Sequence, residues 1–427
     1  MDSPVSERLT WLHSGRFHER WARGSLRGWA CEAWRVWAVA GGGFVGERLS
    51  AEGSVLATRA VAEPFEVLRF ARDSGGVWAG YVGYEAGRSL EAALDVGRDT
   101  LGWPLLQVQR LDRACWEPAG RGEAARVPAG GWRIEGLRPT VDEERYQSGV
   151  DDVVAAIRRG DLFQANLTYA LEGSFSGCAA SFYGALAGVS PAWYGGLIAL
   201  LGGSDEPERV LATVSPELFL SFEGRRMTTR PIKGTSGVGE ADGLLASSKD
   251  AAELHMIVDV LRNDLGRSAT IGTVRVEEAR HAEEHPTVTH GVATVTAELR
   301  GGVDWVEALR LASPGGSITG APKVEAMKLI DRLEPAWRGP YCGSIGWFEG
   351  DRACWNVGIR TAAITKDRER DAGRIRYGVG GGIVADSEPA AEWRETLLKA
   401  AALWEAIRGC GGLAPSLAEA GGIRADG

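Results

Sequence analysis

Segments with the pattern of β-strands follow one another in this chain without a helix between each pair. Between residues 162 and 171, Phe163, Ala165, Leu167 and Tyr169 alternate with Gln164, Asn166 and Thr168. That two-residue period predicts a strand with one packed and one polar face. Further strand-like runs lie at 77–84, 209–222, 341–348, 354–365 and 374–384. Helical runs fall at 64–73, 141–160, 248–265, 303–312, 322–333 and 389–408. A parallel α/β sheet needs helices and strands in strict alternation, so this order predicts an α+β architecture of large sheets with helices outside.

With 427 residues, 44% of them hydrophobic, the chain can bury a substantial core. Its net charge of −9 comes from acids and bases spread along the chain, with no basic block to track a phosphate backbone, so nucleic acid is excluded as a partner. Met1 is followed by Asp2 and Glu7, and no apolar run reaches the length of a membrane span. A cytoplasmic protein without membrane attachment is expected. The six cysteines lie far apart, outside any zinc-ligand spacing, and are read as reduced thiols. A stretch rich in Gly, Ala, Arg and Pro at 117–139 predicts an internal boundary, dividing an N-terminal segment, 1–130, from a second unit, 141–408. Residues 409–427 form a small, glycine-rich tail expected to fray.

Four groups of residues carry candidate chemistry. Asp250 and Glu253 open one predicted helix, and Glu392 and Glu395 another; three-residue spacing puts each pair on one helix face. Hard oxygen donors from two elements suit Mg²⁺, although acids also favour first helical turns for electrostatic reasons alone. Lys233 stands between Pro231 and Gly234 and is an anion clamp, a nucleophile or a solvated loop lysine. Glu217, in Ser215-Pro216-Glu217, is flanked by apolar residues that can hold its proton on, or it lies at a wet strand edge. The loop from Pro314 to Lys323 is rich in glycine and runs into a helix, but it lacks the spacing of a phosphate-binding P-loop, so a carboxylate suits it as well. A second glycine run ends a strand at Gly380, Gly381 and Gly382.

The order and content of these strings resemble the chorismate-utilising enzymes, the family of anthranilate, aminodeoxychorismate and isochorismate synthases. The resemblance runs through Gly160-Asp161-Leu162-Phe163-Gln164-Ala165-Asn166, Ser215-Pro216-Glu217, the Lys233 loop, Asp259-Val260-Leu261-Arg262-Asn263-Asp264, His290, the Gly315 loop, Arg338-Gly339-Pro340-Tyr341-Cys342-Gly343, Arg360-Thr361-Ala362, Gly380 to Asp386 and Glu392 to Lys399. A weaker match, Gly80-Tyr81-Val82-Gly83-Tyr84-Glu85, lies in the N-terminal segment. It implies two large, mainly antiparallel sheets packed face to face with helices outside, as in anthranilate synthase component I.

Carried over residue by residue, the resemblance makes Glu253 and Glu395 direct Mg²⁺ ligands, with Asp250 and Glu392 reaching the ion directly or through water. Gln164, Thr235, His290, Thr319, Tyr341, Arg360, Gly380, Gly381, Gly382 and Lys399 would line or adjoin the chorismate pocket. Glu217 matches the general acid. Water-adding relatives carry a lysine where this chain has Gln164, and anthranilate synthases usually have alanine at the position of Lys233. Lysine there resembles the aminodeoxychorismate synthases and implies a covalent Lys233 adduct at C2, then amination at C4. Departures occur at Ala251, Leu254, Ser236 and Ser313. No cysteine sits in a Gly-x-Cys-x-Gly elbow, so ammonia is expected from a separate glutamine amidotransferase subunit. Anthranilate synthase component I is the rival enzyme, and a non-catalytic chorismate- or amino-acid-binding regulatory homologue the rival of another class.

Overall fold

The computed structural model describes residues 8–14, 18, 24–91, 94, 99–118, 130–285 and 288–410. Its strands form two sheets with antiparallel neighbours. In the first, the order runs Trp132–Pro139, Gln164–Gly177, Ala372–Ile383, Thr361–Asp367, Glu208–Ser215, Tyr194–Leu200, Leu9–His13. In the second it runs Leu106–Pro118, Val77–Val82, Ser344–Glu349, Arg352–Asn356, Leu218–Glu223, Arg226–Arg230, Thr289–Glu298, Arg275–Glu284. The 15-residue strand Gly24–Ala38 joins them. One of its edges pairs with Leu106–Pro118, while the other pairs first with Leu9–Leu12 and then with Phe44–Leu49.

The sheets face each other across a layer in which Tyr81 and Ile345 of the second meet Ile198, Leu200 and Leu211 of the first. Two buried amides cross it with hydrogen bonds: Gln107 donates to Leu201 O (2.6 Å) and Gln109 to Ala199 O (2.9 Å). Helices cover the outer faces. Tyr146, Val150 and Val153 of Glu143–Arg158, with Trp393 and Leu397 of Pro389–Lys399, pack on Tyr169, Leu171 and Ile375. Leu254 and Val258 of Ser248–Gly266, with Trp305 and Leu309 of Trp305–Ala312, pack on Phe222, Val295 and Phe348. The expected α+β pair of facing sheets with helices outside is therefore the fold. No helix among the described residues is long and apolar enough to cross a membrane.

Several local expectations change. The strand expected to start at 162 starts at Gln164, which leaves Phe163 at the rim with 71% of its surface exposed rather than on the packed face. Helices and the facing layer bury both sides of this strand, so most of its polar alternates are interior as well. The 209–222 run is two strands broken at Pro216-Glu217, and the 354–365 run is two strands broken at 357–360. The 389–408 helix divides at Ala400. The 77–84 run stops at Val82 and is followed by the short helix Tyr84–Arg88. Within the expected boundary, 119–129 lie outside the described residues, as does 411–427 of the tail. Strands from before that stretch are hydrogen-bonded into the same sheets as those after it.

Candidate active site

The site forms around the glycine end of the strand Ala372–Ile383, where Gly380, Gly381 and Gly382 pair with Thr168, Leu167 and Asn166. Successive residues of a strand face opposite sides. A Cβ on Gly382 would stand 3.2 Å from Gln164 Nε2 and 3.4 Å from Lys233 Nζ. A Cβ on Gly381 would stand 2.9 Å from Glu392 Oε2 and 3.8 Å from Lys399 Nζ. Glycine thus leaves the strand thin enough for groups on both sides to approach it closely. Lys399 donates to Gly380 O (2.7 Å) and pairs with Glu395 (2.9 Å).

Lys233 lies on the strand Ile232–Ser236, which pairs with Thr289–Glu298. Its neighbours require close backbone approach. A Cβ on Gly291 would stand 2.5 Å from Lys233 O, and Gly234, at φ +79°, turns its bare Cα toward Asp250. Burial lowers the pKa of Lys233, and the Lys399 cation lowers it further against the pull of Glu253, Glu217 and Glu395. The neutral amine is therefore more accessible than in water.

Glu217 occupies the break between Glu208–Ser215 and Leu218–Glu223, where its carbonyl accepts from Val357 N–H at 3.0 Å. Burial pushes its carboxyl up to about 7, although Lys233, a hydrogen bond from Ser317 and the Arg360 cation all favour the charged form. Arg360 is itself largely enclosed, sits at φ +49° in the second strand break and interacts electrostatically with Tyr377 and Glu217. His290 meets Thr235 Oγ1 through Nδ1 at 3.0 Å, and burial, then the Arg360 charge, lowers its pKa to about 3, so the ring is neutral. His290 Nε2 and Gln164 Nε2 are both buried without a hydrogen-bond partner among the described residues. Such orphaned groups are costly unless a polar ligand satisfies them.

The four acids come from two helix starts. The Ser247 hydroxyl caps Ser248–Gly266 by accepting from Asp250 N–H (3.2 Å), and Ser387 donates to Glu392 (2.6 Å) at the start of Pro389–Lys399. Asp250 touches the Lys233 loop, Glu392 touches Gly381, and Glu253 and Glu395 both act electrostatically on Lys233. All four therefore border one site. Among the described residues, no three acidic, histidine or cysteine side chains converge on a single point as a closed metal cage. As a donor set their oxygens would suit a hard cation that keeps several waters and takes only one or two direct carboxylates.

Thr319 and Tyr341 both make contacts with glycine-rich segments. The Thr319 hydroxyl, fully buried, donates to Gly315 O (2.8 Å), and its carbonyl accepts from Asn166 N–H (2.8 Å), bracing the glycine loop. The Tyr341 ring lies against Gly378, where a Cβ would overlap it at 2.1 Å. Of the departures, Leu254 is a fully buried core residue. Sequence reasoning passed over Ser317 as the hydroxyl on Glu217 and Tyr146 as the ring beside Gly381. Both stood inside segments already singled out, but nothing local tells which hydroxyl turns inward. A separate cavity of about 660 Å³ is lined by residues including His13, Ser14, Trp193, Tyr194 and Cys354, and by none of the expected site residues.

Comparison with known proteins gives the family of the chain. The sequence profile of the chorismate binding enzymes matches residues 46–405, and the chain belongs to that family. It is 35% identical over 378 residues to anthranilate synthase component 1 1 of Haloarcula marismortui, covering 77% of this chain and 75% of that one. It is 37% identical over 274 residues to aminodeoxychorismate synthase component 1 of Bacillus subtilis, covering 62% of this chain and 56% of the relative, little over half its length. Its fold is similar to that of anthranilate synthase component I from Streptococcus pneumoniae, with a TM-score of 0.70, 24% identity, and 90% and 93% of the two chains covered.

Proposed function

We propose that this chain is the chorismate-aminating component of an aminodeoxychorismate synthase, making 4-amino-4-deoxychorismate on the way to p-aminobenzoate and folate. The observation that carries the reading is Lys233, an enclosed amine with a lowered pKa placed beside Gln164 and within electrostatic reach of Glu217. The neutral amine attacks C2 of chorismate. The ring double bonds shift, and the C4 hydroxyl leaves as water with the proton of Glu217, whose raised pKa keeps it protonated near neutrality. Ammonia then adds at C4, the double bonds shift back, and the Lys233 nitrogen leaves C2 with a proton. Arg360, neutral His290 and the Gln164 amide orient the substrate's polar groups. Glu253 and Glu395, with Asp250 and Glu392, would hold Mg²⁺, which supplies charge to bind a chorismate carboxylate. The ammonia comes from a separate glutamine amidotransferase.

Similarity to an aminodeoxychorismate synthase supports this reading, and similarity to an anthranilate synthase keeps direct attack of ammonia on C2 as the rival. Intact-protein mass spectrometry separates them. After incubation with chorismate and Mg²⁺ but no ammonium, the wild-type chain gains the mass of chorismate less one water, and Lys233→Ala does not. An unmodified wild-type chain that still turns over when ammonium is added would remove the covalent step.

A further inference from the structure

The strand Gln164–Gly177, which carries Gln164 into the site, has one edge with a gap in its ladder. Residues 164 and 165 pair with the two-residue strand Gly320–Ala321, Asn166 N–H reaches Thr319 O, and from Leu171 onward the partner is Trp132–Pro139. Between these, Asn166 O and the Thr168 N–H have no strand opposite them. Two side chains stand in. Arg338 Nη2 donates to Asn166 O (2.6 Å), and Glu334 Oε1 accepts from Thr168 N–H (2.9 Å) and Thr168 Oγ1 (3.0 Å).

Arg338 does more than fill the gap. Its Nη1 donates to Ile318 O (2.8 Å), in the glycine loop between Ser317, which bonds Glu217, and Thr319. One planar guanidinium, 3% exposed, therefore spans the Gln164 strand and the Ser317 loop. Two braces hold it. Glu334 takes its Nε (2.8 Å) and Nη2 (2.6 Å), and Glu85, from the weakly matched N-terminal string, takes the backbone N–H of Arg338 (2.7 Å) and of Gly339 (3.0 Å). The Tyr84 ring lies under the guanidinium, 4.4 Å from its centroid.

We propose that Arg338 is a positioning residue for chorismate: it fixes the distance between Gln164 on its strand and the Ser317–Thr319 loop, and Glu85 and Glu334 lock its orientation. The planar fork is what the task needs, because a lysine ammonium on a flexible stem cannot hold two carbonyls on two elements at fixed separation. The N-terminal segment thereby acts on the site through Glu85.

The proposal rests on the chorismate-binding reading, so its test is read on binding as well as turnover. Chorismate is titrated calorimetrically, with Mg²⁺, into wild type, Arg338→Lys, Gln164→Ala and the double variant, alongside thermal midpoints. Arg338→Lys is expected to weaken binding by roughly tenfold or more through misplacement of the wall, with little change in midpoint. In the Gln164→Ala background the same change should have a much smaller effect, because Arg338 acts through Gln164. Should Arg338→Lys not fold, Glu85→Gln replaces it in the same cycle, with a smaller loss and the same non-additivity. Binding within twofold of wild type, or equal losses in both backgrounds, would overturn the proposal. Wild type that binds chorismate but releases anthranilate ends the C4-amination reading and leaves the bridge to be judged on the cycle; wild type that binds no chorismate ends both.

Discussion

In the proposed reaction Glu217 and Lys233 meet opposite demands, since the first must hold a proton that the second must lack. Burial meets both demands at once, because an enclosed environment disfavours either charge. The sign of the pH dependence follows. Glu217 titrates at about 7, so its acid form is lost as pH rises through that value and the departure of the C4 hydroxyl slows on the alkaline side. Lys233, with its pKa lowered, loses activity toward acid pH as the amine takes up a proton. Glu217→Gln should cost kcat roughly 10²- to 10⁴-fold and abolish the alkaline limb, as measured by initial rates across pH with ammonium in excess. A variant that keeps the wild-type limb would assign that limb to another group.

At the scale of elements, the glycine end of Ala372–Ile383 leaves room beside Gln164 and Lys233. A methyl group at position 382 would sit within 3.4 Å of both Gln164 and Lys233. Gly382→Ala should therefore raise the KM for chorismate roughly tenfold or more by crowding the pocket, with the thermal midpoint little changed. Unaltered steady-state kinetics would show that the substrate does not lie there. Periodicity made the helices Glu143–Arg158, Ser248–Gly266 and Lys323–Leu333 and most strand cores legible, since each buries one stripe or face. Pro216, which cannot donate to a ladder, marks the break at 216–217, whereas periodicity carries no sign of the one at 357–360. The long shared strand Gly24–Ala38 was missed as well; its pairing with two different partners along one edge is a property of the assembled sheets. The site residues were legible as a set only through the order of their motifs. Their partners were not: Thr168 meets Glu334 across 166 residues of sequence, a separation at which composition and spacing carry no signal.

Across the whole molecule, the two sheets bring the break that holds Glu217, the strand that holds Lys233, the glycine strand end and two acidic helix starts to one place. The N-terminal strands, through Val77–Val82 and the Glu85 brace, belong to the same scaffold. The central claim is that this scaffold directs ammonia to C4 by way of Lys233. Its most direct test is product analysis by mass spectrometry and NMR after incubating the purified chain with chorismate, Mg²⁺ and an ammonium salt. The account predicts a 4-amino product that retains the enolpyruvyl group. Anthranilate together with pyruvate would contradict it and assign the chain to the rival chemistry at C2.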